Sequence, residues 1–379
     1  MKKISTLPVL VLAGLIAVGV SASAQSTSPG GSTGRTRTYY IAANEVTWDY
    51  APGGVNQITG QPFGNAESLW VASGPQRIGK VLKKALYREY TDATFARLKP
   101  RPKEWEHLGF LGPLLRAEVG DTIQVVFKNN GSHHYSIHPH GVFYEKDAEG
   151  TATNDGTSGK DKLDDSVHPG ETFTYVWHVP ERSGPGPDDP SSIVWLYHSH
   201  EVAEEYAGLV GPIVISSAEY GTASGIPSDV DQEVISFFSV MDENQSMLLE
   251  DNITKRAPHA NDPDGGDGDE FYESNLMHSI NGYVYGNGPR LKIREGSRVR
   301  WHLIALGTEV DLHTPHWHGN VVTAYGTRTD VIELLPASMK SVDMLPDDPG
   351  TWMFHCHVND HIKACMIALY TVTPATTGK

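Results

Sequence analysis

The feature that most constrains this chain is an ordered pattern of histidine pairs that occurs twice. Glu118-Val119-Gly120-Asp121 precedes a β-branched stretch and then His138-Pro139-His140-Gly141. Glu295-Gly296-Ser297 precedes a similar stretch and then His316-Trp317-His318-Gly319. Further on, Tyr197-His198-Ser199-His200 matches Phe354-His355-Cys356-His357, and a proline-led turn and a strand pattern separate the two pairs in each copy. A repeat this long and this ordered predicts tandem domains.

Helical periodicity is scarce. Short alternating or β-branched runs recur instead: Thr122–Phe127, Thr172–His178, Leu209–Ile215, Glu233–Val240, Arg298–Leu306 and Ile367–Val372. Gly, Pro and Asn punctuate them, which predicts an all-β fold of sandwiches or barrels. At 379 residues the chain has room for two such domains. Ser, Gly, Pro and Asp cluster near Ser224-Gly225-Ile226-Pro227-Ser228-Asp229, so the expected division is 38–218, a linker over 219–232, and 233–375. His259–Asp269 is rich in Asp and Gly and predicts a surface loop inside the second domain.

Lys2 and Lys3, an apolar run from Leu7 to Val20 and Ala22-Ser23-Ala24 have the order of a secretory signal peptide over residues 1–24. Residues 25–37, rich in Ser, Thr and Gly, read as a flexible leader. The expected destination is therefore outside the cytoplasm, in the periplasm or beyond the cell. The apolar run is too short for a comfortable membrane span, and none is expected elsewhere. A formal net charge of −16 argues against nucleic acid, whose phosphates such a chain would repel. The only cysteines are Cys356 and Cys365, and Cys356 stands between two histidines, which favours metal binding over disulfide pairing.

Ten of the 18 histidines fall in four clusters: His138/His140, His198/His200, His313/His316/His318 and His355/His357/His361. On an extended strand residues i and i+2 point the same way, so each His-x-His pair presents two imidazoles to one side. In His355-Cys356-His357 the cysteine must then face away from its neighbours, so Cys356 can bind one metal while the flanking histidines bind others. His361 and Met366 follow, and His313 completes two imidazoles, a thiolate and a thioether, the ligand set of a blue-copper electron-transfer centre. The other eight histidines, four from each repeat, suit a three-copper cluster that takes up four electrons for O2 reduction. Cys365 reads as a buried free thiol, and His133, His134, His168 and His178 as structural or surface residues.

These clusters resemble the copper motifs of the multicopper oxidase family, which is built from cupredoxin domains, and the match spans nearly all of the chain after residue 37. The resemblance implies type 2 copper at His138 and His316, and a type 3 pair at His140, His198, His200, His318, His355 and His357. It implies type 1 copper at His313, Cys356, His361 and Met366, making four coppers per subunit. The first repeat departs from the type 1 pattern, with Ser199, Glu204 and Leu209 at the ligand positions. It is therefore similar to two-domain oxidases, in which the three-copper cluster forms between neighbouring subunits of a homotrimer.

Several stretches are similar to ceruloplasmin- and hephaestin-type ferroxidases. They include Tyr39-Tyr40-Ile41-Ala42-Ala43, Glu45-Val46-Thr47-Trp48-Asp49-Tyr50, Pro180-Glu181-Arg182-Ser183-Gly184 and Gly307-Thr308-Glu309-Val310-Asp311-Leu312-His313. That resemblance implies an iron site at Glu273, His278 and Asp360, with Glu309 contributed by an adjacent subunit. Three carboxylates and an imidazole favour Fe(III) over Fe(II) and so ease loss of an electron. It also implies calcium at Lys146, Asp161, Asp164 and Asp165, where oxygen donors suit that ion, although an acidic solvated loop accounts for the same residues. The expected function is oxidation of a small reductant, Fe(II) first, coupled to O2 reduction. A laccase acting on phenols beside His361 is the alternative. A copper nitrite reductase does not need all six type 3 histidines, and a copper carrier does not need Cys356 bracketed by histidines.

Overall fold

The strand Thr122–Asn129 buries every second residue, with Ile123, Val125 and Phe127 inside, which is the period of a sheet with one face on a core. It belongs to a computed structural model that describes residues 34–222, 225–260 and 268–375. The expected signal peptide, most of the leader and most of the acidic loop of the second repeat lie outside those residues. Gly268–Ser274, at the end of that loop, is helical.

The first repeat forms two four-stranded sheets. One runs Val81–Tyr90, Thr36–Asp49, Thr122–Asn129, Thr172–His178, with the middle two strands parallel. The other runs Leu115–Glu118, Val210–Ser216, Ser192–His198, His138–Pro139. The second repeat copies this plan. Leu276–Ile280, Gln232–Asp242, Val299–Ala305 and Met339–Met344 begin one sheet, and two short strands extend it. Leu291–Arg294, Ile367–Thr373, Gly350–Cys356 and Pro315–Trp317 form the other. The fold is thus all-β, a sandwich made twice, and no described strand pairs across residues 217–231. The strand expected over Thr172–His178 occurs with those bounds, and the first strand begins at Thr36, two residues inside the expected leader.

Each sandwich closes on its own apolar layer. Phe127, Tyr175 and Trp177 meet Leu115, Tyr197 and Ile213 in the first. Val240, Trp301 and Leu303 meet Trp317, Phe354 and Tyr370 in the second. A third layer lies between the halves. Along Val210–Ser216, Ile213 and Ile215 face the first core, while Val210 and Val214 pack with Ile235, Phe237 and Ile304 of the second repeat. A strand covered on both faces has no need of polar alternation, which explains the unbroken apolar run in that part of the sequence. Two polar contacts tie the same seam: buried Lys84 donates to Glu243 at 2.5 Å, and the partly buried Arg116 donates to Glu233 at 2.5 Å.

Candidate metal centre

The repeat delivers its histidines by register. His138 lies opposite His198, and His316 opposite His355, so each short edge strand sets its first imidazole beside the partner strand's histidine pair. In the first set the rings of His138 and His200 are 4.7 Å apart, and those of His140 and His198 5.2 Å. In the second set His316 and His318 are 5.0 Å apart, and His318 and His355 5.1 Å. Backbone carbonyls fix the tautomers. His138 donates through Nδ1 to Glu149 at 2.7 Å, His198 to Ser199 at 2.8 Å, His316 to Asp330 at 2.8 Å and His355 to Cys356 at 2.7 Å. Because a carbonyl only accepts, each of these rings keeps its Nε2 lone pair free for a metal.

Two of those lone pairs point at a neighbouring imidazole: His198 Nε2 is 3.1 Å from His140 Nε2, and His355 Nε2 is 3.0 Å from His318 Nε2. Burial, helped by the neighbouring imidazoles, lowers His140 to about 4 and His198 to about 3, and it lowers His138, His318 and His355 as well. Neutral, converging imidazoles are what a copper cluster requires, so the residues fit. Among the described residues no ring contact or hydrogen bond joins the first set to the second. Each set has an exposed member, His200 in one and His357 in the other.

Cys356 points to the other side of its strand, into the core of the second sandwich. Its Sγ lies 3.8 Å from His313 Nδ1 and 3.5 Å from His361 Nδ1, and it accepts from the Thr314 amide at 3.4 Å. Burial pushes the thiol up, but these hydrogen bonds outweigh it and bring it to about 6. Asp311 accepts from His313 Nε2 at 3.2 Å, which commits Nδ1 to the side of the sulfur. Met366 is fully buried in the same cluster, and its carbonyl accepts from the Cys356 amide at 3.1 Å. Two nitrogens and a thiolate with a thioether in the same core suit copper. Cys365 is buried, and burial carries its thiol up to about 12, which leaves it inert.

The matching position in the first sandwich has no such donor set. The Ser199 hydroxyl donates to Glu204, and burial raises that carboxyl to about 7. Leu209 packs in the surrounding core.

Three of the proposed iron residues, Glu273, His278 and Asp360, gather at one edge of the second sandwich. The rings of His278 and His361 are 5.3 Å apart. His278 donates through Nδ1 to the Leu276 carbonyl at 3.0 Å, and burial and His361 lower it to about 4. Glu273 is raised by burial and by the charge of Asp360, which places the two carboxylates within electrostatic reach. The Asp360 side chain is 86% exposed. Glu309 is exposed, and no hydrogen bond or ion pair among the described residues brings it to this group. At the acidic loop of the first sandwich, Asp164 is fully buried and one of its oxygens has no partner. Lys162 pairs with Asp165 at 3.3 Å, Lys160 with Asp161 at 3.9 Å, and Lys146 with Asp155 at 3.3 Å.

The sequence motifs supplied the candidate ligands but missed the groups that orient them. Asp311, two residues before His313, was readable as a local partner. The carbonyls of Glu149 and Asp330, and Trp70 beside His278, come from remote segments and leave no local signal.

Comparisons with known proteins agree with this geometry. The sequence matches the multicopper oxidase family over residues 107–220 and again over 252–376, together more than half of the chain. It is 45% identical to ferroxidase HEPHL1 of Homo sapiens over 89% of this chain and 29% of that protein. It is 44% identical to hephaestin of Homo sapiens over 92% of this chain and 30% of that protein. It is 41% identical to ceruloplasmin of Homo sapiens over 89% of this chain and 30% of that protein. The chain therefore spans about three-tenths of the length of these relatives. Among solved structures, the multicopper oxidase mgLAC superposes with a TM-score of 0.55 at 18% identity, covering 90% of this chain and 88% of the other. The blue copper oxidase from Nitrosomonas europaea gives a TM-score of 0.53 at 18% identity, covering 89% of this chain and 86% of the other. The chain belongs to the multicopper oxidase family, and copper is the metal that this membership implies.

Proposed function

We propose that the chain is a ferroxidase that takes single electrons from Fe(II) and uses four of them to reduce O2 to water. The observation that carries this reading is the group Glu273, His278 and Asp360, which adjoins His361 with 5.3 Å between the His278 and His361 rings. The Asp360 carboxylate is exposed, its only ion pair among the described residues being with the equally exposed Lys363 at 3.7 Å, so a hydrated cation can reach it, while His361 is only 4% exposed. Oxygen donors at this group stabilise the higher charge of Fe(III).

Copper held by His313, Cys356, His361 and Met366 would accept one electron at a time, and three coppers at the remaining eight histidines would deliver four to O2. Cys356 sits between His355 and His357 in the chain, so its thiolate and their imidazoles are joined by a few covalent bonds. Within the cluster His138 and His316 would hold the type 2 copper. His140, His198, His200, His318, His355 and His357 would hold the type 3 pair. The full complement is four coppers per subunit.

The two histidine sets stay apart within one chain, and each carries exposed apolar residues beside it, Phe143 and Val202 near the first and Val321 near the second. This supports a homotrimer in which the first repeat of one subunit closes the cluster on the second repeat of the next, with Glu309 reaching the neighbour's iron site. The two functional halves are taken as 38–218 and 233–375. The unpartnered oxygen of Asp164 supports a cation, calcium by resemblance, at Lys146, Asp161, Asp164 and Asp165. Among the described residues no helix is long and apolar enough to cross a membrane. Action in the periplasm or outside the cell follows from the signal-peptide pattern.

The test is steady-state O2 uptake by copper-loaded protein with Fe(II) or a phenol as donor, in wild type and Glu273→Ala. Preference for iron that the substitution removes, with phenol turnover unchanged, supports the ferroxidase. Faster turnover of phenols, indifferent to Glu273, makes the enzyme a laccase.

A further inference from the structure

We infer that the excursion between the strands Thr36–Asp49 and Val81–Tyr90 is a strap across the electron-entry edge of the second repeat, and that Trp70 on it determines which reductants the enzyme accepts. The inference rests on the ferroxidase reading and adds the element that keeps organic donors out.

The strap belongs to the first repeat by sequence, yet its contacts lie in the second. The Gln57 amide donates to the Tyr285 carbonyl at 3.0 Å, and Phe63 meets the Tyr285 ring edge-on at 5.4 Å. Arg77 forms an ion pair with Glu270, which lies on the same short helix as Glu273. Between these anchors the helix Ser68–Val71 sets the Trp70 indole 6.2 Å from the His278 ring at an interplanar angle of 77°. His278 in turn stands 5.3 Å from His361. Trp70, His278 and His361 therefore form one line of edge-on and tilted ring contacts leading from the strap to Cys356, and the two histidines are only 8% and 4% exposed.

The two kinds of donor meet this edge differently. A cation needs carboxylate oxygens, and Asp360 offers one from an exposed position. A phenol needs a flat slot against an imidazole that leads to Cys356, and the Trp70 indole fills that slot. The indole Nε1 is buried without a protein partner, so the position gives up a hydrogen bond to keep a ring of this size there. Phenylalanine would keep most of the ring and remove the orphan donor. Alanine would empty an aromatic-sized space beside His278. In that variant each phenol would lose one electron to the enzyme and one proton to solvent, leaving a phenoxyl radical. Four such losses match the four electrons and four protons that turn O2 into two waters.

The experiment compares wild type, Trp70→Phe and Trp70→Ala by two readouts: fluorescence-detected binding of a methoxyphenol to the copper-free protein, and O2 uptake by the loaded protein with that phenol and with Fe(II). In Trp70→Ala the phenol should bind about tenfold or more tightly than in wild type, the scale of one aromatic ring gaining a site. Its KM should fall accordingly, with Fe(II) turnover retained. Added indole should compete with the phenol for the vacated slot, and Trp70→Phe should behave as wild type. Equal phenol affinity in wild type and Trp70→Ala, with the blue absorption intact in both, overturns the inference. So does parallel loss of iron and phenol turnover in Trp70→Ala with Trp70→Phe unaffected, which assigns Trp70 to stability alone. Wild type that already prefers phenols over Fe(II) overturns the ferroxidase reading itself, and that result is seen before any variant is made.

Discussion

Asp311 is the group whose removal most directly tests how His313 is held. It is fully buried, and each of its oxygens is engaged. Oδ1 accepts from the Val240 amide at 2.7 Å and from His313 Nε2 at 3.2 Å, while Oδ2 accepts from the Thr308 amide at 2.9 Å. Hydrogen bonds to a charged acceptor contribute about 1.5–3 kcal/mol each. Asp311→Ala removes three of them and strands two amides and the His313 donor, so a loss of at least about 4.5 kcal/mol in stability is expected. Asp311→Asn keeps one acceptor oxygen and turns an NH2 toward a donor, so its loss should be about half as large. Asp311→Ala also frees His313 to present either nitrogen, and removing an orienting partner of this kind typically costs 10- to 100-fold in metal affinity. Urea unfolding curves and a copper titration against a competing chelator, followed by the blue absorption, measure the two effects separately. An Ala variant that is destabilised yet binds copper with wild-type affinity and spectrum would refute the argument, because Asp311 would then brace the loop and not the ligand.

Two further outcomes concern the seam between the halves. Lys84 and Glu243 are both buried, and Tyr50 also donates to Glu243 at 2.5 Å, so Lys84→Met should cost about 3–5 kcal/mol by leaving a buried carboxylate unpaired. The double variant Lys84→Met/Glu243→Leu should recover most of that loss, and equal urea midpoints for the single and double variants would contradict it. Burial pushes Glu233 up, but His302 and Arg116 outweigh burial and bring it to about 2. A depressed carboxyl stabilises the fold above its unfolded pKa of about 4.3, by about 3 kcal/mol here, and that contribution fades as pH falls toward about 2. Glu233→Gln should therefore be less stable at neutral pH and converge on wild type in acid, whereas parallel stability curves would exclude the mechanism.

The paired histidines proposed as copper ligands were legible in the sequence because a strand converts spacing into direction. His138/His140, His198/His200, His316/His318 and His355/His357 each sit two apart; His138, His198, His316 and His355 lie on edge and neighbouring strands, and the second member of each pair lies just past the strand end. The alternation of Thr122–Phe127, inside the strand Thr122–Asn129, was legible for the same reason. What was not legible is carried by contacts between distant segments. Leu209–Ile215 is apolar on both faces because a second repeat covers the outer one, and no local pattern distinguishes that from a fully buried strand of a single domain. Trp70 lies far from His278 in the chain and stands in a stretch of Gly, Pro and Ser without strong periodicity. Glu309 was matched by its motif, but one chain leaves it exposed and apart from Glu273 and Asp360.

That separation follows from how the halves are joined. Val194, Leu196, Val210 and Val214 of the first repeat share a buried layer with Ile235, Phe237 and Met241 of the second. An apolar layer of this extent, pinned by Lys84 with Glu243 and by Arg116 with Glu233, makes rotation of one half against the other costly. If both histidine sets serve one cluster, as proposed, this seam disfavours bringing them together by rotation within the chain, and the second set would come from another copy. Head-to-tail contacts of this kind either close into a ring or run on as a filament, and a closed ring gives every subunit one complete cluster and leaves no exposed histidine set unmatched. On this argument the blue site, which lies inside one repeat, should survive dilution to the monomer, while copper at the eight paired histidines should be lost with the oligomer.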